Sequence, residues 1–257
     1  MNFEQDAVLS RWVNPLYLKT NTIEDIRQSV LAKPSMQYVV LDDFFQEERF
    51  DGLVQEHFSL AFSEEVDRRA QDGSWLPYDG AVQFAHPHSV GGDFFFHRMW
   101  HRWCAYILSA QLYDGSRTDV KLRYHRHMAD GFWVHTDGGI RQVVAICYFN
   151  RSWRVADGGL LQLWRPDEVL APGVPTFDSP NGRMDFLAQH KRIRTSTPGG
   201  GWSDGRQGYR DLVLHDQVVP CYNRMFLCNF QSDPCYHSVT PSNGRVRYGF
   251  VQWLINP

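Results

Sequence analysis

The sequence predicts an α+β protein, mainly β, in which helices of the N-terminal part support a β-rich core. Three observations carry this. Apolar residues recur at helical spacing up to about residue 117, and from residue 118 short segments rich in Val, Ile, Tyr, Phe and Trp take over. In addition, 257 residues that are 43% hydrophobic and 14% aromatic suffice to bury a full core, so residues 1–257 read as a single domain.

Taken in order, Thr22 and Asp25 have the spacing of a capping box, which predicts a helix to about Ala32 that closes before Pro34. YVVLDDF then reads as a strand running into a turn. In QEERFDGLVQEHF the residues Phe50, Leu53, Val54 and Phe58 share a helical face. Phe96, Met99, Trp100, Trp103, Ile107 and Leu108 predict one longer helix in the same way. Beyond it KLRYH, RQVVAICYF, GGLLQLW, RMFLCNF and RVRYGFVQWLI read as strands of a sandwich or barrel. The interval of about 165–220 carries Pro166, Pro172, Pro175, Pro180, Pro198 and the run Gly199-Gly200-Gly201, which predicts a long loop insertion.

Charge narrows the partners little. Lys and Arg number 26 against 29 Asp and Glu, a net charge of −3 with no single-signed block, so no nucleic-acid or anionic-membrane partner is expected. The N-terminus lacks a basic start followed by an apolar run, and no segment approaches the roughly 18 apolar residues of a membrane span, which together give a cytoplasmic reading. The cysteines (Cys104, Cys147, Cys221, Cys228 and Cys235) are odd in number and without a C-x-x-C pair, as expected of reduced, inert thiols.

The chemistry concentrates in YHRHMADGFWVHTDGG, residues 124–139. His135 and Asp137 are separated by one residue, so an extended chain projects both to one face, where an imidazole and a carboxylate suit Fe(II), Mn(II) or Zn(II). Composition alone produces about one such H-x-[DE] in a chain like this, so context must decide. Three rivals lack support elsewhere: His97 and His101, four apart on the expected helix without a zinc-protease glutamate; His86 and His88 in a Gly/Pro-rich stretch; and His125 with His127, read as strand-edge or pocket-lining residues.

The pair at 135 and 137 does have a context. His135-Thr136-Asp137, Tyr148-Phe149-Asn150, Trp153 and Gly158-Gly159 followed by LLQLW resemble, in order and spacing, the core signature of the prolyl 4-hydroxylase-like 2-oxoglutarate/Fe(II) oxygenases. CYHSVTPSNGRVRYGFVQWL resembles the closing segment of that family, and YVVLDDFFQEERFDGLVQEH its opening strand and helix. The resemblance covers much of 37–60 and 118–164 and nearly all of 225–254.

The resemblance implies a double-stranded β-helix, jelly-roll or cupin-like, over residues 118–257, with residues 1–117 as its support. It implies His135, Asp137 and His237 as the iron ligands, a 2-His-1-carboxylate set. Retention of Asp137 favours hydroxylation over halogenation, because related halogenases give up the carboxylate for chloride. It further implies an arginine for the distal carboxylate of 2-oxoglutarate. The family places it six residues before the closing tryptophan, which selects Arg247 before Trp253 and leaves Arg245, of the same strand parity, as the alternative. Tyr148 matches a tyrosine reaching the same carboxylate, and Tyr124 a tyrosine ahead of the Gly131-Phe132 step.

The activity so implied is a dioxygenase using Fe(II), 2-oxoglutarate and O2, with ascorbate as an external reductant, that hydroxylates an unactivated C–H bond. Arg183, Lys191, Arg192, Arg194, Arg206 and Arg210, with Trp202 and Tyr209, make a basic, aromatic lid over the iron an expectation for 165–220, and with it a small carboxylate-bearing substrate such as an amino acid. Peptidyl proline is the alternative substrate. A zinc or manganese hydrolase and a non-catalytic jelly-roll binding module are the rival classes.

Overall fold

The structure is a computed structural model and describes residues 2–59, 63–65, 80–85, 87–112, 117–125, 132–135, 141–166, 176–177, 191–196, 209–231 and 235–255. Helices α1 (Ala7–Trp12), α2 (Thr20–Leu31), α3 (Glu47–Ser59), α4 (Gly92–Phe95) and α5 (Arg98–Ile107) occupy the first part, together with strands β1 (Gln37–Leu41), β2 (Ser63–Glu65) and β3 (Gly80–Phe84). Strands β4 (Arg117–His125), β5 (Phe132–His135), β6 (Arg141–Tyr148), β7 (Leu161–Pro166), β8 (Thr176–Phe177), β9 (Arg192–Ser196), β10 (Tyr209–Val218), β11 (Arg224–Asn229), β12 (Tyr236–Val239) and β13 (Arg247–Ile255) follow.

Local chemistry sets the helix ends. Asp6 caps α1 by accepting from the backbone N–H groups of Val8 at 3.1 Å and Leu9 at 2.9 Å. Its carboxylate also receives Nε2 of His97 at 2.8 Å, and residue 97 is held extended at φ −77°, ψ 125°. The single helix expected over 96–108 is α5, and Phe96 and His97 separate it from the short α4 that precedes it. The expected capping box is a correction: α2 begins at Thr20 with Lys19 before it and no side-chain cap, which places Thr22 inside the first turn.

The strands form two sheets, a large one in the order β1-β11-β6-β13-β4-β3-β2 and a small one in the order β5-β12-β7-β10-β9-β8. All pairings are antiparallel except β8 with β9. The large sheet is buried on both faces. In β6, Val143, Ala145 and Cys147 join the helical core, while Val144, Ile146 and Tyr148 meet the small sheet. In β11, Met225 and Leu227 likewise face the helices, and Phe226 and Cys228 face the small sheet. Each large apolar side chain so buried contributes roughly 1.5–3 kcal/mol.

The helical core is dominated by aromatic rings, with Phe44, Phe45, Phe50, Phe94, Trp100 and Trp103 fully buried. Gln252 of β13 is the polar exception on that side. Its oxygen accepts from Trp100 Nε1 at 2.8 Å, and its nitrogen donates to Phe95 O and Thr118 Oγ1, both at 2.8 Å, so the buried amide is satisfied. His57 is buried as well, edge-on to Phe149 with ring centroids 4.8 Å apart.

Burial pushes the His57 pKa down to about 4. A neutral ring is thus favoured in the fold, and its contribution is present above the unfolded value near 6.5 and lost as pH falls from there toward 4. The expected result is a loss of about 3 kcal/mol of stability over that window from this group. Urea unfolding of wild type and His57→Leu at pH 7.5 and pH 4.5 checks this; an equal pH dependence in both proteins would contradict it.

The interval 165–220 is not a loop throughout. Residues Tyr209–Val218 form β10, a ten-residue strand paired with β7 on one side and β9 on the other, with Asp211 and Leu212 buried. The density of Pro and Gly before residue 209 masks the apolar content of DLVLHDQV, whose alternation is further broken by a register shift between Leu214 and Asp216. At that irregularity the Tyr38 hydroxyl of β1 donates to Asp216 at 2.6 Å and ties one sheet to the other.

Among the described residues no helix is long and apolar enough to cross a membrane.

Candidate functional site

The site lies between the two sheets. On the small sheet, Trp164 Nε1 donates to Ser238 Oγ at 2.8 Å, and Ser238 Oγ to Gln162 Oε1 at 2.9 Å, on the face turned away from the large sheet. Strand alternation then turns Leu161, Leu163, Val239 and His237 inward, and the first three lie in the inter-sheet core. His237 is opposed in register by His135 of β5, so positions 135 and 237 share one face on neighbouring strands. Of the ligand set implied by the resemblance, two members are brought together by the backbone, and Asp137 lies outside the described residues.

His237 is oriented by its own strand. Its Nδ1 stands 2.9 Å from the Cys235 carbonyl oxygen, which can only accept, so Nδ1 carries the proton and Nε2 carries the lone pair of the neutral ring. That is the arrangement in which an imidazole ligates a metal. Beside it is a cavity lined by His237, Val144, Ile146, Leu161, Phe226, Phe230 and Cys235. Its walls are almost wholly apolar, which strengthens any charge interaction made inside it.

At the other end of this inter-sheet space stand Tyr148 and Arg247. Tyr148 pairs in register with Gly249 and Arg224, and Ile146, two positions along β6, pairs with Phe226 and Val251. Progress along β6 from residue 148 to residue 144 is therefore progress from Arg247 toward the end where β5 and β12 bring His135 and His237. Tyr148 is 1% and Arg247 8% exposed, and the guanidinium carbon lies 5.0 Å from the centre of the Tyr148 ring. The Tyr148 hydroxyl and Arg247 Nε are both buried without a hydrogen-bond partner among the described residues, where Arg247 also forms no ion pair. Burial pushes the Tyr148 hydroxyl pKa up, against the opposing pull of the Arg247 charge, so it remains a protonated donor.

The local motifs explain why this corner exists. Asn150 donates to the carbonyls of Pro220 at 3.1 Å and Tyr248 at 3.3 Å and accepts from the Tyr248 N–H at 2.8 Å, fixing the end of β6 beside Arg247. Phe149 turns into the helical core. Gly158, at φ 70°, could not carry a side chain, because a Cβ there would lie 2.0 Å from Pro241 O. Gly159, at φ 62°, donates to the same carbonyl at 2.8 Å, and its missing Cβ leaves space between Trp153 and the Arg247 side chain.

Arg245, the alternative to Arg247, is used elsewhere. Its Nη1 donates to Asp157 Oδ2 at 2.7 Å and to Ser152 O at 3.1 Å, and its guanidinium lies 4.6 Å from the Trp153 ring centre. The Arg154 N–H and this guanidinium hold the Asp157 carboxyl below its usual range.

Of the other sequence candidates, Tyr124 occupies β4 opposite Tyr248 and Ala81, and its side chain lies outside the described residues. His97 and His101 do not converge: Nε2 of the first binds Asp6, and Nε2 of the second donates to Phe95 O at 2.8 Å. His86, His127 and Gly131 lie outside the described residues, as do the side chains of His125 and His135 and the greater part of the expected lid. Sequence reasoning passed over Phe230, whose ring centre lies 6.1 Å from that of His237, and Ile146, Leu161 and Phe226. Their inward alternation was the available signal.

No protein-family model matches this sequence, and no curated protein sequence matches it. Solved structures do resemble it. A prolyl 4-hydroxylase from Pseudomonas putida is 17% identical, with a TM-score of 0.52 over 90% of this chain and 99% of that one. The epimerase SnoN, in complex with Fe3+, alpha ketoglutarate and nogalamycin RO, is 11% identical, with a TM-score of 0.55 over 93% of this chain and 85% of that one. A prolyl 4-hydroxylase from Phytophthora capsici is 18% identical, with a TM-score of 0.55, and this chain covers 63% of its length against 92% of its own. The chain thus has the fold of the prolyl 4-hydroxylases and other 2-oxoglutarate/Fe(II) oxygenases.

Proposed function

We propose that this protein is a 2-oxoglutarate- and Fe(II)-dependent dioxygenase that hydroxylates an unactivated C–H bond, with its two sheets forming a double-stranded β-helix. The observation that carries the reading is the buried guanidinium of Arg247, without an ion-pair partner among the described residues, beside the unpartnered hydroxyl of Tyr148, with His237 lining the same inter-sheet space. An isolated buried cation is costly, and a bound carboxylate removes that cost. The two donors suit the distal carboxylate of 2-oxoglutarate, Arg247 as a charged fork and Tyr148 as a single O–H donor. His135, Asp137 and His237 would hold the iron, and Tyr124 is the third candidate for contact with the cosubstrate.

Bound iron and 2-oxoglutarate supply the oxidising chemistry, in which 2-oxoglutarate, O2 and R–H give succinate, CO2 and R–OH. The chain's own part is positional. Arg247 and Tyr148 fix one end of the cosubstrate; the proton held on Nδ1 by Cys235 O aims Nε2 of His237 at the metal; Ile146, Leu161 and Phe226 keep water away between them. Ascorbate would serve as an external reductant.

A zinc or manganese hydrolase could use the same ligands, but it would leave the buried Arg247 without a partner. A non-catalytic jelly-roll module would have no need of the cation either. The amino-acid or small-molecule substrate and its peptidyl-prolyl alternative are both compatible with the fold, since proteins named for prolyl hydroxylation and for epimerisation in nogalamycin biosynthesis share it. Succinate release from 2-oxoglutarate under Fe(II) and O2, compared in wild type, Asp137→Ala and His237→Ala, tests the reading. Turnover in wild type that is lost with iron binding in both variants supports it, whereas retained iron and turnover in the variants would overturn the ligand set.

A further inference from the structure

Between β6, β7, β11 and β12 the inter-sheet space holds the cavity that His237 borders. Val144, Leu161 and Phe226 line it and are buried, while Ile146, Phe230 and His237 line it and are half-buried, so the space opens on their side. The Phe230 ring centre lies 6.1 Å from that of His237, which makes Phe230 the rim. The free volume is about 10 Å3, room for one small molecule.

Strand order sets this cavity apart from the cosubstrate corner. In the small sheet β12 lies between β5 and β7, so position 135 stands on one side of His237 and the Leu161 wall on the other. In the large sheet the lining comes from β6 and β11, and among the described residues none of it comes from β13, which carries Arg247.

The walls decide what such a space can hold. A buried water needs about two to four polar partners, and Val144, Ile146, Leu161, Phe226 and Phe230 offer only hydrocarbon. The Nδ1 of His237 is turned to Cys235 O, and a cysteine thiol is a weak donor at best. Of the reactants in the proposed hydroxylation, 2-oxoglutarate is a dianion and the substrate an organic molecule. Dioxygen alone is small, uncharged and free to leave water without losing hydrogen bonds.

We propose that this cavity is a dioxygen site, in which O2 rests against Val144, Leu161 and Phe226 on the β7 side of His237 before it meets the metal. The proposal rests on the oxygenase reading and adds a residence for the one reactant which that reading leaves unplaced.

The test uses the full chain as apoprotein with 13C-labelled methyl groups, and compares methyl proton relaxation under O2, which is paramagnetic, with that under N2 at equal pressure. The expected result is an enhancement at Val144 and Leu161 severalfold above that at Val143 and Leu227, which are as deeply buried but belong to the helical core. Val144→Ile adds a methyl-sized group to the cavity and should bring Leu161 down to the level of Leu227; Phe230→Trp intrudes from the rim and is the second variant. Both should raise KM for O2 severalfold and leave 2-oxoglutarate affinity, measured with Mn(II), unchanged. Enhancement that is equal at all these residues, or untouched by both variants, overturns the proposal, as does an unchanged KM for O2 in variants that have lost the enhancement. Local enhancement in a wild-type protein that binds no 2-oxoglutarate would instead overturn the oxygenase reading beneath it.

Discussion

Replacing Arg247 with methionine is expected to weaken 2-oxoglutarate binding about a hundredfold and, at the same time, to leave the free protein as stable as wild type or more so. A bidentate, charge-assisted contact made by a buried guanidinium is worth about 3 kcal/mol, which corresponds to that loss of affinity. The stability effect has the opposite sign because the guanidinium is buried and has no ion-pair partner among the described residues, so the empty fold bears its desolvation. Methionine fills much of the same volume without a charge. Tyr148→Phe should behave alike on a smaller scale, with about tenfold weaker binding. Calorimetric titration with 2-oxoglutarate in the presence of Mn(II), set beside urea unfolding of the apoprotein, separates the two effects. Destabilisation of the apoprotein by Arg247→Met would mean that the residue is a structural cation.

Gly158→Ala is expected to be the more damaging change to the fold, at a cost of at least about 3 kcal/mol. Its backbone, at φ 70° and ψ −150°, lies where L side chains are strained, and the new Cβ would fall 2.0 Å from a backbone oxygen that cannot swing aside, that of Pro241. Gly158 bridges to Ser242, and its carbonyl accepts from Trp153 Nε1 at 2.8 Å, so relief of the clash pushes apart the pieces that shape the space around Arg247. Gly52 is the control. It lies within α3, where a Cβ would meet nothing within 4 Å, and Gly52→Ala should stabilise by about 0.5–1 kcal/mol. Urea midpoints for the two variants check both signs, and a neutral Gly158→Ala would show that residues 241–242 can yield.

Much of this was legible in the sequence. Enrichment in Val, Ile, Tyr, Phe and Trp identified β4, β6, β7, β11 and β13, and helical spacing identified α3 and the buried face of α5, because each of these elements packs on a continuous core. The choice between Arg247 and Arg245 was open by parity. It becomes a difference of surroundings in the fold: among the described residues one cation lies between the sheets without an ion pair, and the other sits on Asp157. Strand β10 escaped notice because a bulge interrupts its alternation and breakers surround it. The short α4, Gly92–Phe95, escaped because four residues are too few to show a helical period.

The central claim is that an iron–2-oxoglutarate chelate forms between His237 and Arg247. Anaerobic titration of the apoprotein with Fe(II) and 2-oxoglutarate, followed through the weak visible charge-transfer band of the chelate, tests it most directly. The account predicts a band in the wild type that weakens in Arg247→Ala and is absent in His237→Ala. A wild-type protein that binds Fe(II) yet gives no band with 2-oxoglutarate, or an unchanged band in both variants, would contradict it.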